Sequence, residues 1–285
     1  MSDLLALARP RHWVKNAFVL MPVPFAVAAG ATLHVGTLLL GLAAQCLVSS
    51  GIYVFNDVLD VEHDRRHPTK CARPAAAGRV GLTTARMFGF GLLLAGMSLG
   101  WLTGLLDVIS VLAAYILLNL VYSVAGRQVS LLDVFLLSTG YVLRVILGCV
   151  LVGAPPSHWL LLCTSALALF LALAKRRADL VAGVDGEHRP SLAGYDRRFL
   201  DQALGITSSM AVIAYALYCT EAEVLVPGRE FASLPFVVFG VLEYLRRVHL
   251  KDEGAMPVDL LLGSPVLLAC GAGWILAALW SMGLS

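Results

Sequence analysis

Asp57, Asp60 and Asp64 follow one another at intervals of three and four residues, directly after Asn56 and at the end of an apolar run. If the helix of that run continues through them, the three carboxylates share one face, and Asn56 lies one turn below Asp60 on nearly the same stripe. Such a row repels itself unless a cation neutralises it. Hard oxygen ligands on a short helical stripe suit Mg2+, which keeps several waters and takes one or two carboxylates together with oxygens of a bound phosphate. His67 and Pro68 are expected to end the helix, and Lys70, Arg73 and Arg79 follow in a stretch broken by Pro74 and Gly78. Carboxylates with a metal, then cations, describe a diphosphate site. In it Asp57, Asp60 and Asp64 are the catalytic and metal-holding residues, and Asn56, Lys70 and Arg73 touch the substrate. The bland alternative is a charged loop solvating the gap between two membrane helices. Three aspartates in helical register speak against it, because acidic residues at a membrane face mark function.

The elements that must position this row are membrane helices. Hydrophobic residues make up 59% of the 285 and charged ones 14%, against roughly 25% charged in an ordinary soluble domain, and the mean hydropathy is +0.80. The expected fold is therefore all-α and polytopic. Apolar runs long enough to cross a core of about 30 Å occur at 13–31, 35–55, 82–103, 105–124, 131–152, 159–174, 200–220, 231–245 and 260–282. Nine spans are expected in one domain covering residues 1–285. Pro22 and Pro24 in the first and Pro265 in the last predict kinks or uneven starts. Arg9, Arg11 and Lys15 at the start of the first run could imitate a signal peptide, but no early A-x-A-like cleavage site in a polar c-region follows and many further spans do, so it is read as a first helix.

Orientation follows from counting Lys and Arg. Of 21, nineteen fall before the first expected span or in the connections that alternate spans place on the same side as it, leaving Arg229 and the intramembrane Arg144. The positive-inside rule then puts the N-terminus, the aspartate stretch and the connection after the sixth span in the cytoplasm, with the C-terminus outside. A net charge of +2, with basic residues opposed almost one for one by acids, gives no case for nucleic-acid binding. Cysteines 46, 71, 149, 163, 219 and 270 contain no CxxC pair and predict neither a disulfide framework nor a zinc site. Gly96, Gly100 and Gly104 form a small-xxx-small seam, read as packing within the bundle, with a homo-oligomer contact as the alternative.

A second constellation lies after the sixth span. Lys175, Arg176, Arg177 and Asp179 close that run, and Asp185, Arg189, Tyr195 and Asp196 follow in the same connection. Positive-inside anchoring is one explanation; a second phosphate pocket is the other. Arg forms bidentate contacts to phosphate and Lys adds a point charge, so Lys175, Arg176, Asp179, Arg189 and Tyr195 are candidate substrate contacts. Two polar loops facing each other at one membrane face would enclose a polyphosphate. Arg144, well inside its run, needs a partner within the bundle: a structural pair, or contact with an anionic substrate group or one of the aspartates. Tyr122 and Asn119, with Arg127 beyond, are weaker candidates, equally suited to helix contact or interfacial anchoring.

The pattern Asn56-Asp57-x-x-Asp60-x-x-x-Asp64 in a glycine-rich bundle resembles the first motif of the UbiA superfamily of intramembrane prenyltransferases. The stretches at 9–16 (RPRHWVKN), 56–78, 175–180 (KRRADL) and 189–196 (RPSLAGYD) are similar to one branch of it, the decaprenyl-phosphate phosphoribosyltransferases, known from synthesis of mycobacterial cell-wall arabinan precursors. Most of the superfamily carries a second motif, DxxxD, after the sixth span. Here Asp179 and Asp185 are six apart and preceded by basic residues, which fits a donor bearing an additional phosphate. The resemblance implies a Mg2+-dependent transfer of the 5-phosphoribosyl group from 5-phosphoribosyl diphosphate to a polyprenyl phosphate, at the cytoplasmic face of the plasma membrane. The runner-up is transfer of an isoprenoid from its diphosphate to an aromatic acceptor. A transporter or flippase would spread ionisable residues through mid-membrane, whereas here, Arg144 apart, they lie toward the membrane faces and mostly gather at one.

Overall fold

The computed structural model describes residues 3–66, 70–183, 190–250, 260 and 263–284. Every regular element among them is helical. Helices α1 (Asp3–Ala8), α2 (Val23–Ala28), α3 (Val35–Leu59), α4 (Val61–Arg66), α5 (Leu82–Leu102), α6 (Leu106–Val124), α7 (Leu132–Val152), α8 (His158–Val181), α9 (Arg197–Glu221), α10 (Leu234–Leu250) and α11 (Pro265–Ser281) follow in order. By length and composition six of them, α3 and α5 to α9, can cross a membrane.

Three of the nine expected spans take other forms. The first run folds as a 3-10 segment, Pro10–Leu20, followed by the six-residue α2, because prolines at 10, 22 and 24 remove amide donors that an unbroken α-helix would use. Helices α10 and α11 have 17 residues each, about 25 Å at 1.5 Å per residue, less than a ~30 Å core. Pro265 lies at the first position of α11, where its missing N–H costs nothing. The sixth run ends later than its apolar residues: α8 continues through Lys175, Arg176 and Arg177 to Val181.

The chain divides into two compact units, residues 1–23, 32–124 and 143–155 in one and 24–31, 125–142 and 156–285 in the other. In the first, α3 lies along α5. Gly51 and Gly96 permit that approach: an added Cβ at Gly51 would meet the Gly89 carbonyl oxygen at 2.9 Å, and one at Gly96 the Ala44 oxygen at 2.9 Å. The small-residue seam thus serves packing inside the bundle. Leu7, Val54, Val58, Ala75, Val80 and Ala85 close a core beside the end of α3. In the second unit α8 packs along α9 over Phe170, Leu173, Ala174, Leu200, Leu204, Tyr244 and Val248. Asp196 caps α9 by accepting the Phe199 N–H at 2.7 Å. All six cysteines are free, and only Cys71 is exposed.

Candidate active site

The last turn of α3 carries Asn56 and Asp57, and Asp60 follows as its C-cap with φ −91° and ψ 3°. The helix therefore breaks at Asp60 and restarts as α4, which delivers Asp64. The i to i−4 bonding survives the break, with Asp60 N–H donating to Asn56 O at 2.9 Å and Asp64 N–H to Asp60 O at 2.8 Å. Asp57 and Asp64 meet on one cation. Arg73 Nη1 donates to Asp57 Oδ1 at 3.0 Å and to Asp64 Oδ2 at 2.6 Å, and Arg9 pairs with the same Asp57 oxygen. The carboxylates are 3% and 5% exposed, whereas Arg9 and Arg73 keep 20% and 28% of their surface.

Arg9 reaches this place through a left-handed backbone, φ 50° and ψ 58°, a conformation L-residues other than Gly, Asn and Asp adopt at a cost and that recurs at functional sites. Its guanidinium also lies 5.6 Å from the Tyr53 ring centroid. Asn56 turns to α6, where its Oδ1 accepts from Ser123 Oγ at 2.7 Å.

A divalent ion fits this donor set. Mg2+ is held through one or two carboxylates, with waters and phosphate oxygens completing its shell, and two buried carboxylates converging on a shared cationic partner provide that minimum. No group of three or more His, Cys, Asp and Glu placed to hold a metal occurs among the described residues. Asp57 and Asp64 share Arg73, and Asp60 stands between them in the chain as the C-cap of α3.

Deeper in the same unit Arg144, 4% exposed, donates from Nε to Asn16 Oδ1 at 2.9 Å and from Nη2 to the Tyr115 hydroxyl at 2.6 Å. Its guanidinium is 4.7 Å from the Tyr115 ring centroid. Asn16 in turn donates to Cys46 Sγ at 3.2 Å, and Gln45 to Ser49 Oγ at 3.2 Å. A polar seam thus receives the intramembrane charge on hydrogen-bonding and aromatic groups.

In the second unit Arg176 is fully buried. Its Nε lies 2.7 Å from Asp133 Oδ2 and its Nη1 donates to Asp179 Oδ2 at 2.9 Å. Asp133 is itself fully buried and accepts from Ser191 Oγ at 2.9 Å and from the Tyr195 hydroxyl at 2.7 Å. The Leu131 N–H donates back to Tyr195 at 2.6 Å. Burial, then the hydrogen bond donated to Asp133, pushes the Tyr195 phenol above its ordinary value, so this hydroxyl stays protonated at neutral pH. Arg177, also buried, pairs with Asp201 at 2.6 Å and donates to Val248 O at 2.7 Å.

Residues 17–258 match the UbiA prenyltransferase family. The chain belongs to that family. As a UbiA protein it is a transferase with helices suited to crossing a membrane. It is 31% identical, over 96% of its own length and 85% of the relative's, to the decaprenyl-phosphate phosphoribosyltransferase of Corynebacterium glutamicum. It is 34% identical, over 76% of its length and 70% of the relative's, to that of Mycolicibacterium smegmatis. Its fold is similar to a UbiA homolog from Archaeoglobus fulgidus bound to GPP and Mg2+, with TM-score 0.74, 18% identity and 99% of each chain covered.

Against this family frame the remaining residues of the expected site stand as follows. Lys70 opens the 3-10 turn Lys70–Ala72 just ahead of Arg73. Lys175 and Asp179 are half-buried on α8, Tyr122 is half-buried on α6, and Arg189 and Asp185 lie outside the described residues. Two contributors escaped sequence reasoning. Arg9 stands in the opening RPRHWVKN stretch but reads there as a positive-inside charge. Asp133 is a single acid in the first turn of an apolar helix, and its only signal is that an unpaired carboxylate there would be costly to bury.

Proposed function

We propose that this protein transfers the 5-phosphoribosyl group of 5-phosphoribosyl diphosphate to a polyprenyl phosphate, releasing diphosphate, with Mg2+ as cofactor. The observation that carries the reading is the buried pair Asp57 and Asp64 on Arg73, in a chain similar along 96% of its length to a decaprenyl-phosphate phosphoribosyltransferase. Asp57 and Asp64, with Asp60, would hold Mg2+, which when bound neutralises the diphosphate and makes it a better leaving group.

The chain's own groups do the rest. Arg73 and Lys70 place positive charge where diphosphate charge accumulates as the C1–O bond breaks, the moment at which such charge accelerates the reaction. The lipid phosphate, already an anion, attacks ribose C1 from the opposite face, so the new C1–O bond forms without a strong general base. Asn56 braces the last turn of α3 against α6, and Arg144 and Tyr122 are assigned to anionic groups of the substrates. Lys175, Arg176, Arg189, Asp179 and Tyr195 form the cation-rich site for the 5-phosphate. In this reading one domain of nine spans, including the shorter segments, lies in the plasma membrane with the N-terminus and active site cytoplasmic.

Membranes containing the protein, incubated with radiolabelled 5-phosphoribosyl diphosphate, a polyprenyl phosphate and Mg2+, should yield a labelled lipid. No labelled lipid, together with turnover of a prenyl diphosphate and 4-hydroxybenzoate, would replace this reading with aromatic prenylation.

A further inference from the structure

Arg176 has three guanidinium nitrogens: Nη1 donates to Asp179, Nε lies 2.7 Å from Asp133 Oδ2 as an ion pair without hydrogen-bond geometry, and Nη2 is buried with neither a hydrogen bond nor an ion pair among the described residues. A buried donor left unmade is costly, and such a group calls for an explanation. Asp133 is the common point of everything around it. It sits on the first turn of α7, holds Arg176 of α8 with Oδ2, and takes the hydroxyls of Ser191 and Tyr195 from the 190–195 segment. Ser130 Oγ adds a bond to Ser191 O at 2.7 Å, and Leu131 N–H reaches Tyr195 from a backbone at φ 66°. A non-glycine residue at positive φ is retained only when its surroundings over-determine it. Three side chains, from α8 and the 190–195 segment, thus turn on one fully buried carboxylate.

A carboxylate with that many partners does more than neutralise one arginine. It fixes where the guanidinium can rotate and where residues 190–195 lie against α7 and α8. Asp179 alone would leave Arg176 on a flexible i, i+3 pair within its own helix.

We propose that Asp133 is a positioning residue for the donor substrate: it sets the Arg176 guanidinium and the 190–195 segment so that Arg176 Nη2 is left for a phosphate oxygen of the donor. The inference rests on the phosphoribosyl reading above. Asp133 acts through Arg176, Ser191 and Tyr195 and touches no substrate itself.

The test measures KM and kcat for each substrate separately, with melting temperature in detergent, for Tyr195→Phe, Ser191→Ala, Asp133→Glu and Asp133→Ala. Tyr195→Phe and Ser191→Ala each remove one hydroxyl, and they are expected to raise KM for 5-phosphoribosyl diphosphate about tenfold, or ~1.4 kcal/mol. KM for the polyprenyl phosphate and kcat should stay within about twofold, and Tyr195→Phe combined with Ser191→Ala should exceed either alone. Asp133→Glu should recover part of the donor affinity that Asp133→Ala loses. Equal shifts in both KM values, or a fall in kcat with donor KM unchanged in the two hydroxyl variants, overturn the proposal, and those variants decide it even if Asp133→Ala fails to fold. If the wild-type protein instead uses a prenyl diphosphate, the phosphoribosyl reading fails, and the same variants measured with that donor still decide the role: a donor-selective KM rise keeps Asp133 as a positioning residue, an unselective one removes it.

Discussion

The two charged clusters are both built from aspartate–arginine pairs and differ in how far the arginines are enclosed. Around Asp57 and Asp64 buried carboxylates are met by arginines that keep a fifth or more of their surface. Around Asp133 both carboxylate and arginine are completely enclosed. Breaking a buried pair leaves an uncompensated charge, whereas a partly solvated arginine can release its partner into water or onto another anion. The difference teaches which cluster can exchange partners: the first is arranged to trade an arginine for a metal or a phosphate, the second to keep its Asp133–Arg176 pair and offer only Arg176 Nη2 to a further anion.

The strongest way to break the contrast is Asp57→Asn. It removes the negative charge shared by Arg9 and Arg73 while keeping the shape of the side chain, so folding should survive and chemistry should not. Losing one group that stabilises developing charge costs about 10² to 10³ in rate, and the labelled-lipid assay should fall by at least that factor at an unchanged elution profile. A variant within tenfold of wild type would remove the aspartate row from the mechanism. Arg73→Ala should come next, at about 10²-fold, and Arg73→Lys should restore part of it, since Lys keeps the charge but lacks the planar guanidinium whose Nη1 bridges the two carboxylates.

The enclosed side of the contrast is sharpened by Asp201→Asn. Arg177, 1% exposed, would lose its charged partner at Asp201 while keeping its bond to Val248 O. Removing one partner of a buried ion pair costs ~3–5 kcal/mol, reduced here to about 2 kcal/mol because Asp201 is a third exposed. The melting temperature in detergent should drop by several degrees while kcat stays within about twofold. A large loss of kcat without a loss of stability would mean that Arg177 belongs with the exchangeable arginines.

Sequence reasoning reached the elements whose signal is local. The runs at 82–103, 105–124 and 131–152 end within a residue of α5, α6 and α7, because length and apolarity alone specify a helix in the membrane. The run at 159–174 stopped too early. Lys, Arg and Arg look like a boundary, yet Arg176 and Arg177 are turned inward and paired by Asp133 and Asp201, from residues 43 and 24 positions away. The run at 13–31 was too long, because Pro22 and Pro24 within it and Pro10 just before it outweigh its apolarity. At the site, the spacing of Asp57 and Asp64 was legible as a shared face, but the break at Asp60 was not, since nothing in the residue types marks it. Arg9 and Asp133 were illegible for one reason: each matters through a partner distant in sequence, and a lone charge carries no record of what it will meet.

Tyr195 offers the finest discrimination between the clusters. Its phenol is pushed above the ordinary tyrosine value by burial and by the bond it donates to Asp133. In the unfolded chain it loses its proton near pH ~10, while the folded protein keeps it, so the folded state binds more protons above that pH and the resulting stability is lost as pH rises. The hydroxyl's contribution is thus fully present below pH ~10 and declines above it. The melting-temperature difference between wild type and Tyr195→Phe should therefore be flat from about pH 6 to 9 and shrink above ~10. A difference that changes within the neutral range would instead make Tyr195 a titrating group, and the Asp133 cluster would then belong, like the aspartate row, to the exchangeable part of the protein.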